Sequence, residues 1–247
     1  MQDTTLKSSL KIIIVILNVS ILSACTKTSP PPTVNSVPVQ SSSNELPAGQ
    51  GWWFARFRMD WPKDSAPKWF MGTWLAGEVI APVLERHRQD IKVWRFHRRA
   101  KRDGHGHVFS FIFYSSAEVA QSIYREIEKS ELLLKLQREK QITWVGQDPL
   151  KSIIRPKIED TSDADWPDSI RRTWPEFMMG ASRMWLGLVL DAAKEQRQKG
   201  FQGRVLYENV QNQLNHTWMV EGKRAWLHHL NALYAYQPTL VLSLIHI

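Results

Sequence analysis

The sequence predicts an α+β fold, and three patterns in its 247 residues support this assignment. Apolar and polar residues alternate from Trp52 to Trp61, and they alternate again on both sides of Asp103-Gly104, as in half-buried strands. After Thr173, apolar residues instead recur every three or four positions, which is typical of amphipathic helices. We therefore expect strands and helices to interleave in the first half and helices to fill the second.

The first strand is predicted over residues 52–61 and ends at Pro62, which cannot donate to a sheet ladder. Its alternation places Arg56 and Arg58 on the face opposite the apolar residues, which are Trp53, Ala55, Phe57 and Met59. Residues 73–88 follow as a predicted helix with apolar positions four apart, and Pro82 predicts a kink within it.

Two strands, 91–100 and 107–114, are predicted to form a hairpin whose two central turn residues are Asp103 and Gly104. This register pairs aromatic residues across one face: Trp94 with Phe113, Phe96 with Phe111, and Arg98 with Phe109. The other face of the same strand carries Arg95, His97 and Arg99.

A helix over 116–137 and a weak closing strand over 141–145 complete the order β-α-β-β-α-β. This order is that of a ferredoxin-like sandwich, in which both helices pack on one sheet face and the other face stays open. The ferredoxin-like module is thus predicted over residues 52–146.

The remaining residues, 147–247, are predicted to be a helical C-terminal region that packs on the module. A capping box at Thr173-Trp174-Pro175-Glu176 begins a helix that runs to Lys199, and two further helices are expected over 204–220 and 223–236. The predicted inward residues of the three helices are Phe177, Ala181, Met184, Leu188 and Ala192; Leu206, Val210, Leu214 and Trp218; and Trp226, Leu230 and Leu233. The apolar tail 240–247 is compatible with a final strand or with a truncated reading frame.

The N-terminus has the layout of an export signal, with Lys7 and Lys11 before an apolar run over residues 12–22. Leu22-Ser23-Ala24-Cys25 follows and resembles the lipobox of bacterial lipoproteins. The resemblance covers residues 1–25 only, and it implies that residues 1–24 are removed and Cys25 is acylated. An ordinary cleaved signal and a short uncleaved anchor are the alternatives.

Residues 25–51 are rich in Ser, Pro and Thr and predict an acylated, disordered tether. Such a coil would hold the folded part on the order of 30 Å from the membrane. Cys25 is the only cysteine, so no disulfide is expected. Thr26 stands where the lipoprotein resemblance implies aspartate for inner-membrane retention, which favours the periplasmic side of the outer membrane in a two-membrane host.

A basic sheet face is the first candidate site, formed by Arg56, Arg58, Arg95, His97 and Arg99. Guanidinium groups on rigid strands suit phosphate or carboxylate recognition because each presents a planar fork of donors. The alternative is a solvated face, or one that pairs with acids of the C-terminal helices. Nucleic acid would also be attracted to such a patch, but the predicted envelope location disfavours it.

Aromatic and histidine residues supply the other candidates. Among 12 tryptophans, Trp52 and Trp69 lie beside predicted loops and are the expected aromatic contacts. His105-Gly106-His107 with His97 suggests a transition-metal site, but His97 is predicted on the opposite face and no cysteine or acidic cluster completes a shell. No metal and no cofactor are therefore predicted.

The sequence contains no nucleophile elbow, phosphate loop or zinc-protease motif. We therefore expect a non-enzymatic binding or scaffold component of an envelope assembly, such as a secretion or transfer apparatus. Its partners would be the membrane, through the lipid anchor, and either a protein or an anionic envelope polymer. The alternative is a periplasmic hydrolase or transferase in which His97, His216 or His228 meets a carboxylate.

Overall fold

A computed structural model of the chain describes residues 46–236; Cys25, most of the tether and the tail 240–247 lie outside them. Four strands form one antiparallel sheet in the spatial order β2-β3-β1-β4. The strands are β1 (Gln50–Met59), β2 (Val93–Ala100), β3 (His107–Ser116) and β4 (Ile142–Gln147). This topology and the helical second half confirm the predicted α+β fold class.

The helices lie between the strands and after them. They are α1 (Trp69–Leu75), a π turn (Ala76–Ile80), α2 (Ala81–Arg86), α3 (Ala117–Glu128), α4 (Glu131–Arg138), a 3-10 turn (Ile158–Thr161), α5 (Asp168–Gln198), α6 (Gly203–Gly222), a second π turn (Lys223–Leu227) and α7 (His228–Leu233). Within the described part of the chain, no helix is both long and apolar enough to cross a bilayer.

The register predicted for the hairpin is confirmed, with Trp94 opposite Phe113 and Phe96 opposite Phe111. Asp103 and Gly104 are the central residues of the connection 101–106, but neither has the positive φ that a two-residue hairpin turn requires. In this loop Asp103 Oδ1 accepts from the backbone N–H groups of His105 and Gly106, and Gly106 adopts the positive φ of 69°. A longer loop of even length leaves the same residues facing each other.

The main core lies between the sheet and the helices that cover one of its faces. The apolar face of β1 is buried there, and Phe109, Phe111 and Phe113 of β3 pack in the same cluster. Phe111 and Phe113 stack with their ring centroids 4.9 Å apart. The alternation read from the sequence therefore assigns both strands to the correct face.

A second, smaller core lies on the opposite sheet face, which the sequence analysis predicted to be open. Trp52, Val93, Ile112 and Tyr114 are buried there beneath Ile158 and Met179. The indole N–H of Trp52 lies within hydrogen-bonding distance of the carbonyls of Lys157 and Ile158, at 3.0 and 2.8 Å. The connection after β4 thus covers one end of this face and leaves the hairpin end uncovered.

Two predicted helices have different boundaries in the structure. The helix expected over 116–137 is split into α3 and α4, because the Ser130 hydroxyl accepts from the Leu133 N–H and begins a new helix. Helix α5 begins at Asp168, earlier than the Thr173 capping box, so Pro175 lies inside it.

The predicted inward residues of α5 are also partly wrong. Phe177 and Met184 are exposed, whereas Ser182, Leu186, Val189 and Ala193 are buried. The Ser182 hydroxyl accepts from the backbone N–H of Phe96 at 3.0 Å, so α5 covers the outer edge of β2. Because the inner face of α5 includes the polar Ser182, it differs from the face that the apolar pattern predicted.

Helix α6 packs on α1 and α5 with Leu206, Val210 and Leu214 buried, as predicted. Beyond that point the expectation fails, because Trp218, Leu230 and Leu233 are exposed. Trp218 instead stacks on Trp226, with their ring centroids 5.4 Å apart.

Candidate functional site

The uncovered end of the second sheet face carries all five predicted basic residues. The register places His97 and Arg56 on either side of Ser110, and it places Arg99 and Arg58 on either side of Val108. Because neighbouring strands are about 4.8 Å apart, each of these pairs spans about 10 Å at the backbone. We call this surface the basic face.

The basic face forms the floor of a concavity of about 450 Å³. Trp144 of β4 lines one side, and the connection and the start of α5 line the other side with Thr161, Asp163, Trp166 and Trp174. Trp166 and Trp174 meet edge to face with their centroids 4.8 Å apart. The site therefore combines a cationic floor with indole walls.

Two of the five basic residues are neutralised by nearby acids. Arg56 lies 3.2 Å from Asp148, which also forms a salt bridge with Arg155. Arg99 lies 2.5 Å from Asp103 in the hairpin loop. These acids belong to loops, so the prediction that the face pairs with acids of the C-terminal helices is not what the structure shows.

The guanidinium groups of Arg58 and Arg95 form no salt bridge with any carboxylate of residues 46–236. Arg95 donates to the Thr161 hydroxyl at 3.0 and 3.2 Å. Arg58 donates to the Gly104 carbonyl at 3.0 Å and lies over the Trp144 ring at 5.5 Å, while its buried Nε has no partner in the described structure. The positive charges of Arg58 and Arg95 are therefore not paired with a described carboxylate and can attract an anionic ligand.

The charges on the basic face shift the pKa values of its own groups. Burial, followed by the charges of Arg95 and Arg99, lowers the pKa of His97, so its imidazole is neutral near pH 7. Burial also lowers the pKa of the Arg95 guanidinium. The Arg99 hydrogen bond holds the pKa of Asp103 at about 2, so this carboxylate is ionised throughout the physiological range.

The two predicted aromatic contacts do not lie in this site. Trp52 is 2% exposed and belongs to the smaller core. Trp69 is half-buried, with its ring 5.0 Å from that of His107. The sequence analysis missed the indoles that line the concavity, which are Trp144, Trp166 and Trp174. The signal for Trp144 was its position in the predicted strand 141–145, since it lies opposite Arg58 across β1 and β4.

The histidines predicted as metal candidates are separated. His97 and His105 line the concavity, whereas His107 is 1% exposed and lies between the rings of Trp61 and Trp69. Residues 46–236 contain no group of three or more side chains placed to hold a metal ion.

The histidines proposed for the alternative enzyme do not bond to a described carboxylate. His228 lies 3.2 Å from the Tyr236 hydroxyl, and no side-chain hydrogen bond of His97 or His216 is found among the described residues. His87, which the sequence analysis missed, lies 2.7 Å from Glu126, and Arg86 donates to the same carboxylate. This contact joins α2 to α3 and does not line the concavity above the basic face.

Comparison with known proteins does not extend these observations. No family model, no curated protein and no solved structure matches the chain. The geometry of the basic face is therefore the basis for a functional assignment.

Proposed function

We propose that the protein is a membrane-anchored envelope lipoprotein that acts without catalysis, as a binding or scaffold component of an envelope assembly. Its basic face would capture an anionic group of a partner protein or of an envelope polymer. The observation that carries the proposal is that Arg58 and Arg95 line a concavity and neither forms a salt bridge with a carboxylate of residues 46–236, Asp163 of the same concavity included. A partly buried cation without an acidic partner is costly, and an anionic ligand would offset that cost.

The neighbouring ion pairs support the same function. Asp148 and Asp103 fix Arg56 and Arg99 in place at the two ends of the floor. All four arginines project from strands whose other face packs in the main core. A ligand would therefore meet donors that are already positioned, which lowers the entropy lost on binding.

The sequence before the described residues suggests where binding takes place. The lipobox resemblance at Cys25 implies acyl chains at one point of the chain, and several chains together anchor a protein stably. A tether of residues 25–51 would let the basic face reach partners a few nanometres from the bilayer.

A charge-matched pair of variants tests the proposal. The double variant Arg58→Glu, Arg95→Glu should lose binding to dextran sulfate beads and lose its crosslinked partners in cells. The double variant Lys151→Glu, Lys194→Glu changes the net charge equally at exposed positions away from the concavity and should keep both.

Both doubles should unfold within a few degrees of the parent protein, because the new carboxylates of the first double lie among cations. Retention of dextran sulfate and of the same crosslinked partners by the first double would overturn the proposal. A first double that unfolds far below the parent would be replaced by Arg95→Gln, which keeps a polar side chain with an N–H donor and removes the charge.

A further inference from the structure

Resting on the proposed binding function, we infer that the anionic group is a phosphomonoester on a sugar ring, and that His97 selects it over a singly charged group.

His97 lies in the middle of the cationic floor. Arg95 and Arg99 are two residues away on the same strand face, about 7 Å to either side along β2. Ser110, which is 5% exposed, separates His97 from Arg56 across the sheet. The walls of the concavity partly enclose His97, which lowers its hydration, but the residue remains exposed, so a group in the concavity can reach it.

The charges that face His97 come from three parts of the fold besides its own strand. They are Arg95 and Arg99 of β2, Arg56 and Arg58 of β1, His105 of the hairpin loop and Asp163 of the connection. Asp148 and Asp103 pair with Arg56 and Arg99, so these two cations are partly offset. Burial, followed by the charges of Arg95 and Arg99, nevertheless lowers the pKa of His97 and keeps the imidazole neutral in the free protein.

A bound dianion would counteract the positive charges that surround His97. Two negative charges among the guanidinium groups favour protonation of His97, and the resulting imidazolium adds one more charge-assisted hydrogen bond to the ligand. A monoanion brings half as much negative charge and should leave His97 mostly neutral near pH 7. His97 thus gives a dianion an advantage that a monoanion of the same shape does not receive.

The walls favour a hydroxyl-bearing ring over a nucleic acid strand. The Asp163 carboxylate would repel consecutive phosphates, but it can accept hydrogen bonds from hydroxyl groups. The Thr161 oxygen accepts from Arg95, so its O–H can donate to a ring hydroxyl. Indole surfaces of Trp144 and Trp166 offer apolar contact to ring faces. The volume of about 450 Å³ accommodates one or two rings.

Calorimetry on the full lipidated protein in a non-ionic detergent tests the inference with glucose 6-phosphate and glucose 6-sulfate. The phosphate should bind about tenfold more tightly at pH 7, and its affinity should rise as the pH falls from 8 to 7. Titration in two buffers of different ionisation heat should show uptake of part of a proton with the phosphate and almost none with the sulfate.

His97→Gln should lower the phosphate affinity about fivefold, abolish the proton uptake and change the sulfate affinity less than about twofold. His216→Gln is the matched control, because His216 is exposed on α6 and does not line the concavity. It should leave all three quantities unchanged.

The remaining outcomes test the role of His97, the class of ligand and the basic face separately. Equal affinity for the two sugars without proton uptake would overturn the role of His97. Tighter binding of phosphatidic acid vesicles or of a ten-residue thymidine oligonucleotide than of glucose 6-phosphate would overturn the sugar assignment. Failure to bind either sugar, while dextran sulfate is still retained through the basic face, would overturn this inference and leave the proposed function intact.

Discussion

The Arg98 guanidinium donates to the side-chain oxygen of Gln211 at 2.7 Å, which joins β2 to a helix 113 residues further along the chain. The same group donates to the Trp69 carbonyl and lies 5.3 and 5.1 Å from the rings of Trp69 and Trp185. Burial lowers the pKa of Arg98 to about 10, so it stays charged at neutral pH. One buried cation therefore connects the sheet with α1, α5 and α6.

Arg98→Met should destabilise the protein by about 1–3 kcal/mol, because two buried acceptors lose their donor and two indoles lose a cation. The cost exceeds what is gained by removing a buried charge, since the acceptors stay buried. Lys101→Met, at an exposed position after the same strand, should change stability by less than about 0.5 kcal/mol. Urea denaturation measures both, and an Arg98→Met protein as stable as the parent would contradict this reasoning.

Gly77→Ala should destabilise the protein by about 1–3 kcal/mol through a clash with α6. A Cβ at Gly77, in the first π turn, would lie 2.7 Å from the Tyr207 hydroxyl, which donates to the neighbouring Glu78. Gly187→Ala in α5, where a Cβ would meet nothing within 4 Å, should instead be neutral or stabilising by up to about 1 kcal/mol.

The predicted cost of Gly77→Ala depends on the Tyr207 hydroxyl, and a second variant tests this dependence. In a Tyr207→Phe background the nearest clashing atom is gone, so the cost of Gly77→Ala should fall. An unchanged cost in the double variant would show that the helix itself, and not the contact, resists the substitution.

His107 should make the protein lose stability in mild acid. Burial, and then the charges of Arg98 and Lys68, lower the pKa of His107 to about 4. The unfolded chain binds this proton from about pH 6.5 downward, so the stabilisation is complete above pH 6.5 and is lost as the pH falls towards 4. The loss should amount to about 3 kcal/mol.

His107→Gln removes the titration, so its stability should depend less steeply on pH between 6.5 and 4 than that of the parent. His105→Gln, whose side chain is 78% exposed, should keep the parental slope. Denaturation series at five pH values compare the three proteins, and parallel curves for His107→Gln and the parent would refute the assignment.

Cys25→Ser should move the protein from the membrane fraction to the soluble or precursor fraction, because each buried methylene of an acyl chain contributes about 0.8 kcal/mol to anchoring. Ser23→Ala, which keeps the cysteine, should leave the protein in the membrane fraction. Mass spectrometry of the N-terminal peptide checks the modification directly, and an unmodified thiol would exclude the lipoprotein prediction.

The sheet could be predicted because the alternation of apolar residues has a period of two, which fixes both the face and the register of the hairpin. Trp94 therefore faces Phe113 as expected, although the positive φ of the loop lies at Gly106 and not at Asp103-Gly104. The five basic residues share one face for the same reason, since Arg56 and His97 both lie beside Ser110.

The walls of the site could not be predicted, because they depend on long-range contacts of a segment without periodicity. The Trp52 indole meets the carbonyls of Lys157 and Ile158, more than 100 residues away, and this contact folds the connection over the sheet. The buried face of α5 was misplaced because Ser182 and Gln196 point inward to bond Phe96 and Gln213. A hydropathy pattern assigns such polar residues to solvent.

The Ser182 hydroxyl of α5 accepts from the Phe96 N–H, so this donor of β2 is not available to a strand from another molecule. Helix α5 packs on the β2 border, so among the described strands β4 is the border that is left for a strand from another molecule. Head-to-tail stacking needs two receptive borders on every copy. Pairing through β4 alone would end at two copies, so the position of α5 disfavours an open-ended fibre built by strand addition.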